Sequence, residues 1–216
     1  ETYNVLKSLT KDNVIAIDPA KCNYALYKAI PEGVKTVEMG SPVFAIKCIK
    51  NEKELEGTFI SMHRDGVALT RLFMWLEKEM EQKHTLTEIS VSDKLRDLRR
   101  EQGALDESFG TIAGYGPHGA IVHYEADEES NATLKPESFL LLDSGGQYMG
   151  EENGKPFAGT TDITRTVALG TPTEQMKIDY TLVLKGHLAL GHQLFPYGTR
   201  GAQLDALARQ FLWNYE

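Results

Sequence analysis

Two aspartates, each at one end of a strand-like segment, are the residues whose types and spacing suggest chemistry. Asp143 ends the apolar segment 139–143, and Asp162 precedes the segment 163–169 nineteen residues later. If the two segments are neighbouring antiparallel strands, directly opposed side chains stand about 4.5–5.5 Å apart. Two carboxylates at that spacing repel each other unless a cation lies between them. Such a pair, with added imidazoles, suits divalent ions such as Mn²⁺, Mg²⁺ or Zn²⁺.

Ordinary turn chemistry also explains both aspartates. Aspartate between a strand and a glycine is common in turns, and Asp162 can cap a turn in its Gly-Thr-Thr stretch. From spacing alone this interpretation is favoured, because two aspartates so separated form no specific motif. His123 is similar, since a histidine in an apolar segment such as 119–124 is more typical of a core or edge position than of catalysis.

The elements that would position these residues are helices on either side of several strands. Asn51 predicts the cap of a long helix, and Thr87 or Ser90 the cap of a second helix that stops at Gly103. Apolar residues at steps of 3, 4 and 7 predict the buried stripe of the first helix: Leu55, Phe59, Met62, Leu69, Phe73, Leu76 and Met80. Strands are predicted at 119–124, 139–143 and 163–169, and helices at about 173–194 and from near 202. This order favours an α+β fold with an antiparallel sheet.

The first 48 residues have a different character. Short strands are predicted at 14–17 and 34–39, with a helix between them at 20–30 that Pro31 and Gly33 end. This α/β pattern is short for a complete domain, so we interpret it as the end of a preceding one.

Composition limits the function. The chain has 216 residues, of which 41% are hydrophobic and 25% charged, as in ordinary globular proteins. Its net charge of −8 argues against binding a nucleic-acid backbone, and no apolar run is long enough to span a membrane. Two cysteines form no disulfide framework. Reduced thiols are therefore expected, and with them a cytoplasmic location.

Three motifs together resemble the Xaa-Pro aminopeptidase (aminopeptidase P) family of pita-bread metallopeptidases. They are Gly-Pro-His-Gly-Ala-Ile-Val-His-Tyr at 116–124, Leu-Asp-Ser-Gly-Gly-Gln-Tyr at 142–148 and Gly-Thr-Thr-Asp-Ile-Thr-Arg-Thr at 159–166. Segments 18–27 and 185–199 extend the resemblance over nearly the whole chain, and the first of them is similar to the longer, cytosolic members. The combination is specific, and it reverses the interpretation of the two aspartates.

The resemblance implies roles for three residues. Asp143 matches the first metal-binding aspartate of the family, Asp162 the aspartate that bridges two ions, and His123 a catalytic histidine that contacts the substrate or stabilises the tetrahedral intermediate. It also implies two divalent ions, with Mn²⁺ favoured and Zn²⁺ or Co²⁺ as alternatives, and peptides with proline at the second position as substrates. Residues 1–48 would be the C-terminal part of a noncatalytic creatinase N-terminal-like domain, and residues 49–216 the N-terminal portion of the pita-bread domain. A homodimer is a further expectation for the full-length protein.

This sequence departs from the family pattern at three points. Segment 150–158 looks like an insertion between the two aspartates, which can still pair if it stays a surface loop, and His118 stands where the family has asparagine. The remaining metal ligands, a histidine and two glutamates, are expected beyond residue 216. We therefore expect this chain to be a fragment that is inactive by itself and binds metal weakly.

Two alternatives remain at this point. One is a prolidase-like Xaa-Pro dipeptidase, and the other is a metal-free pita-bread module that binds peptides or histones. Segment 18–27 favours the aminopeptidase over the dipeptidase, and the presence of both Asp143 and Asp162 favours an enzyme over a binding module.

Overall fold

The computed structural model of the chain describes residues 1–215 and divides into two compact units, residues 1–55 and the residues from 56 onward. The predicted domain boundary between residues 48 and 49 lies seven residues earlier. The assignment of the two parts to particular domains stays a prediction.

The first unit has the predicted α/β character. Its elements are α1 (Thr2–Lys7), β1 (Val14–Ile17), α2 (Tyr24–Lys28), β2 (Lys35–Glu38) and α3 (Pro42–Cys48). Strands β1 and β2 pair in parallel, as two strands joined by a crossover helix do. The predicted strands and the helix between them are confirmed, although the helix is shorter than expected, whereas α1 and α3 were not predicted.

The rest of the chain follows the order of two helices, several strands and two helices. The helices are α4 (Glu52–Glu81), α5 (Glu88–Glu101), α6 (Glu174–Gly191) and α7 (Gly201–Trp213). The strands are β3 (Ala104–Glu107), β4 (Ile112–Tyr115), β5 (Phe139–Ser144), β6 (Gly146–Glu152), β7 (Lys155–Thr160) and β8 (Ile163–Ala168). They form two three-stranded antiparallel sheets, in the orders β3-β6-β7 and β4-β5-β8. The predicted α+β class is confirmed. Among the described residues, no helix combines the length and the hydropathy that crossing a bilayer requires.

The helix ends lie where local side chains predict them. The Asn51 Oδ1 accepts a hydrogen bond from the Glu54 N–H at 3.0 Å at the start of α4. Thr87 and Ser90 form a reciprocal capping box at the start of α5. That helix ends just before Gly103, whose φ of +86° is the left-handed conformation that glycine adopts easily. These boundaries are encoded locally, so sequence alone predicts them.

The predicted buried stripe of α4 is wrong over its first half. Phe59 is 75% exposed, while Gly57, Ser61 and Asp65 are buried. The reason is a close approach to β7, since a side chain on Gly57 would place its Cβ 2.0 Å from the Ala158 carbonyl oxygen. Small residues therefore face the sheet there, and the larger apolar ones turn outward. Further along, Leu69 and Leu76 are buried as expected.

Strands β5 to β8 form one long hairpin that bends in the middle. The register between β5 and β8 continues unchanged between β6 and β7. The hairpin closes at Asn153 and Gly154, whose φ values of +51° and +73° are typical of a tight two-residue hairpin turn. Segment 150–158 is therefore not a surface loop, because most of it lies in paired strands. Asn-Gly in that segment was the local signal for the turn.

The bend lies between the two candidate aspartates. At the β5–β6 junction, a Cβ on Gly145 would lie 1.9 Å from the Thr161 carbonyl oxygen. That same oxygen accepts a hydrogen bond from the Ser108 Oγ–H at 2.8 Å. Only glycine fits at this position, so residue 145 allows the two halves of the hairpin to come together.

The predicted strand at 119–124 is also wrong. A 3-10 helix (Gly116–Ala120) occupies its first part, and a turn follows in which Val122 is 82% exposed. The strand is instead β4, immediately before it. Gly116 has φ +55° and Pro117 lacks a backbone N–H, so the chain turns here instead of continuing the ladder.

The core lies on one face of the β4-β5-β8 sheet. Leu140 and Leu142 alternate along β5 and pack with Leu72 of α4 and Leu95 of α5, all fully or almost fully buried. The other face of β5 carries Phe139, Leu141 and Asp143, which are half-buried. Helices α4 and α5 thus cover one face of this sheet, and the candidate metal residue lies on the other, where Tyr180 of α6 contacts Phe139.

Candidate metal centre

Asp143 is held on the open face of the sheet by its neighbour across the strand. It pairs in register with Ile112 of β4 on one side and Thr164 of β8 on the other. The Thr164 hydroxyl donates a hydrogen bond of 2.7 Å to the Asp143 Oδ1. This bond orients the carboxylate. The spacing of residues in the sequence did not predict that Thr164 would contact Asp143.

Asp162 lies one residue before β8 and is exposed. The two strands are neighbours and antiparallel, as predicted, but Thr164 is the residue directly opposite Asp143. Asp162 precedes it by two residues and is therefore a diagonal neighbour of Asp143. Diagonal neighbours are separated by about 7–8 Å rather than 4.5–5.5 Å. Direct opposition of the aspartates is thus corrected to a diagonal relation, which leaves more room between them.

His123 is an exposed residue of the turn after the 3-10 helix and has φ +58°. The segment that carries it packs on the same face of the sheet as Asp143. A Cβ on Gly119 would contact the Leu141 Cβ at 3.4 Å, and Leu141 alternates with Asp143 along β5. The structure therefore brings the His123 segment to the open face, although no strand carries it.

The donors fit divalent ions in kind but not in number. Carboxylate oxygens of Asp143 and Asp162 are the ligands that hard cations prefer. Within residues 1–215, however, no three His, Cys, Asp or Glu side chains come together as a metal site. Two carboxylates alone do not fill the coordination of two ions.

A buried ion pair lies directly behind the bend. The Arg99 Nε donates to the Asp65 Oδ1 at 2.7 Å, and the Arg99 Nη2 donates to the Ser144 Oγ at 3.0 Å. The Tyr148 hydroxyl also donates to the Asp65 Oδ1, at 2.8 Å. All four side chains are at most 2% exposed. Burial raises the pKa of Tyr148 above its ordinary value, and the Asp65 carboxylate raises it further.

This network fixes the buried side of the strand at the point where Asp143 faces the other way. Ser144 follows Asp143, and successive strand residues point to opposite faces. Holding the Ser144 hydroxyl inside therefore holds Asp143 outside. Sequence reasoning missed Asp65 and Arg99, because each lies at a charged position of a helix with no motif around it.

A second buried carboxylate lies under the His123 segment. Glu88, the first residue of α5, has no exposed surface and accepts hydrogen bonds from the Tyr115 N–H and the Tyr124 hydroxyl at 2.7 and 2.8 Å. His118, noted above as a departure from the family, contacts the same carboxylate through Nδ1 at 2.9 Å. The sequence carried no signal for Glu88 beyond its place in the first turn of a helix.

A model of metallopeptidase family M24 matches residues 60–216 of this chain. The chain belongs to this family. Among curated M24 relatives, the probable Xaa-Pro aminopeptidase P of Paracoccidioides brasiliensis is 45% identical over 196 residues, which are 90% of this chain and 30% of that protein. The chain thus spans about a third of the length of the relatives it matches.

Solved structures of M24 type agree. The X-prolyl aminopeptidase of Caenorhabditis elegans, described as a cytosolic enzyme with a di-nuclear active site, superposes with a TM-score of 0.85 at 35% identity, over 100% of this chain and 35% of that one. The prolidase of Pyrococcus furiosus has a TM-score of 0.73 at 21% identity, over 99% of this chain and 57% of that one, and so shares the fold. The predicted pita-bread fold and the resemblance to Xaa-Pro aminopeptidases are confirmed.

Proposed function

We propose that this M24 chain is part of an aminopeptidase that hydrolyses the bond between an N-terminal residue and a following proline. The observation that carries the proposal is the placement of Asp143 and Asp162 as diagonal neighbours at the bend of one hairpin. It is supported by relatives named Xaa-Pro aminopeptidase P. Proline forms a tertiary amide without an N–H, so this bond needs a site shaped for it.

Asp143 and Asp162 would hold two divalent ions, which we propose to be Mn²⁺, with Zn²⁺ or Co²⁺ as alternatives. Such ions supply an activated water and polarise the scissile carbonyl. Thr164 keeps the Asp143 carboxylate oriented through its hydrogen bond. His123 contacts the substrate and stabilises the charge that develops on the carbonyl oxygen.

The metal site is completed by residues of the full-length protein that this chain does not contain. We therefore propose that the chain alone is inactive and binds metal weakly. Its protein works in the cytoplasm on peptides with proline at the second position, and a homodimer is part of the same proposal. A reduced compartment agrees with the two cysteines, Cys22 and Cys48, which are both unpaired.

The decisive test is Asp162→Asn in the full-length protein. We expect release of the first residue from an Xaa-Pro tripeptide to fall by more than about 100-fold, with a matching loss of bound metal measured by elemental analysis. Asp97→Asn is the matched control, since Asp97 is an exposed residue of α5. Cleavage at the wild-type rate by Asp162→Asn would overturn the role of Asp162 as a metal ligand, and absence of cleavage by the wild type itself would favour a peptide-binding module.

Two further measurements separate the alternatives. Cleavage of an Xaa-Pro tripeptide in preference to the Xaa-Pro dipeptide supports the aminopeptidase, and the reverse preference supports a prolidase-like dipeptidase. Calorimetric titration of the 216-residue chain with Mn²⁺ should show weak binding, and a tight two-ion isotherm would contradict the incomplete donor set.

A further inference from the structure

Glu88 holds both ends of the segment that carries His123. Its Oε1 accepts hydrogen bonds from the Tyr115 N–H at 2.7 Å and from His118 Nδ1 at 2.9 Å. Its Oε2 accepts from the Tyr124 hydroxyl at 2.8 Å and from the Ala132 N–H at 2.9 Å. Tyr115 immediately precedes the 3-10 helix, and Tyr124 immediately follows His123. One carboxylate thus connects the start and the end of the segment.

The carboxylate is placed where a buried charge is tolerated. Glu88 is the first residue of the 14-residue helix α5, and the N-terminus of a helix stabilises a negative charge. Four donors satisfy both oxygens, which offsets the removal of the group from water. These bonds connect both ends of segment 115–124 to one buried side chain.

The segment needs such a support because of its backbone. His123 has φ +58°, a left-handed conformation that is uncommon for a residue with a side chain. The side chain of His123 is exposed, so its own packing does not impose that conformation. The next residue makes two bonds that hold the turn: the Tyr124 N–H donates to the Ile121 carbonyl oxygen at 3.2 Å, and the Tyr124 hydroxyl donates to the buried Glu88 at 2.8 Å. The pKa of the Tyr124 hydroxyl is raised, chiefly by burial, so it stays a donor at neutral pH.

We propose that Glu88 is the positioning residue for His123. By binding Tyr115 and Tyr124 it keeps the intervening turn on the sheet face that carries Asp143, and so presents His123 to a substrate there. The inference rests on the proposed function, in which His123 contacts the substrate.

The test is a double-mutant cycle in the full-length protein. Glu88→Gln removes the charge and one of the two acceptors, so we expect kcat/KM for an Xaa-Pro tripeptide to fall about 10- to 100-fold at unchanged metal content. In a His123→Ala background, Glu88→Gln should cause no additional loss, because its effect passes through His123. Glu101→Gln, an exposed residue at the other end of α5, is the matched control and should leave activity unchanged.

Hydrogen exchange gives a second readout that does not depend on catalysis. Amides of residues 115–124 should lose protection in Glu88→Gln, while those of β5 and β8 keep it. If Glu88→Gln does not fold, Tyr124→Phe removes a single bond to the carboxylate and should give the same pattern with smaller changes. A loss that adds fully to that of His123→Ala, or unchanged exchange in segment 115–124, overturns the inference. Absence of any peptide cleavage by the wild type overturns the proposed function instead, and leaves the exchange result to decide the placement of the segment.

Discussion

Asp65 and Glu88 are two buried carboxylates of almost equal exposure, 1% and 0%, with opposite surroundings. Asp65 lies in the middle of α4 and is neutralised by the equally buried guanidinium of Arg99. Glu88 lies at the start of α5 and is bound by two backbone N–H groups, a hydroxyl and an imidazole. The first supports the bend beside Asp143, and the second supports the segment of His123.

The difference predicts what is lost when a partner of each carboxylate is removed. Removal of one member of a buried ion pair leaves a charge with no counterpart, which strongly destabilises a fold. Removal of one neutral donor from a carboxylate that has four leaves three in place. We therefore expect the Asp65 network to govern global stability and the Glu88 network to govern local geometry.

The largest effect is expected for Arg99→Met. It leaves the Asp65 carboxylate buried without its cation and should lower the free energy of unfolding by about 3–5 kcal/mol. Urea unfolding followed by circular dichroism measures it. Arg100→Met is the control, because the Arg100 side chain is 62% exposed and its change should stay within about 0.5 kcal/mol. If Arg99→Met lowers the free energy of unfolding by less than about 1 kcal/mol, the Asp65 network does not govern global stability, and the contrast with Glu88 is contradicted.

A smaller effect, with a distinct pH dependence, is expected for Tyr148→Phe. The hydroxyl donates to the Asp65 carboxylate, and a hydrogen bond to a charged group contributes about 1.5–3 kcal/mol. Because the pKa of Tyr148 is raised in the folded state, that state keeps its proton when the unfolded state loses it near pH 10. This contribution is therefore complete below pH 10 and declines as the pH rises further.

The measurement is the urea midpoint of wild type and Tyr148→Phe at neutral pH and at about pH 11. We expect the difference between the two proteins to shrink at the higher pH. A difference that grows with pH would contradict the raised pKa.

The smallest effect is expected at the other carboxylate, for His118→Asn. Asparagine restores the residue of the family pattern and still offers an N–H donor, and three other donors to Glu88 remain. The free energy of unfolding should change by about 0.5 kcal/mol or less, as measured by thermal unfolding. A loss above about 2 kcal/mol would mean that Glu88, like Asp65, depends on one partner.

Local signals predicted a large part of the fold. The caps at Asn51 and Thr87, the stop at Gly103 and the strand at 139–143 depend on residues only a few positions apart, and all are confirmed. The strand predicted at 119–124 was wrong because an apolar run is compatible with either a strand or a turn. The glycines at and before its start favour the turn. The buried face predicted for the first half of α4 was wrong because the spacing of apolar residues does not show how closely a neighbouring strand approaches the helix.

Sequence by itself determined the class of the protein, the order of its elements and the identity of Asp143, Asp162 and His123 as candidates. Only the tertiary structure decided the diagonal relation of the aspartates, the partnership of Thr164 and the two buried carboxylate networks. The physical reason is distance along the chain. Asp65 and Arg99 are 34 residues apart and Glu88 and Tyr124 are 36 apart, and no local pattern of hydropathy or capping records which distant side chains share one buried space.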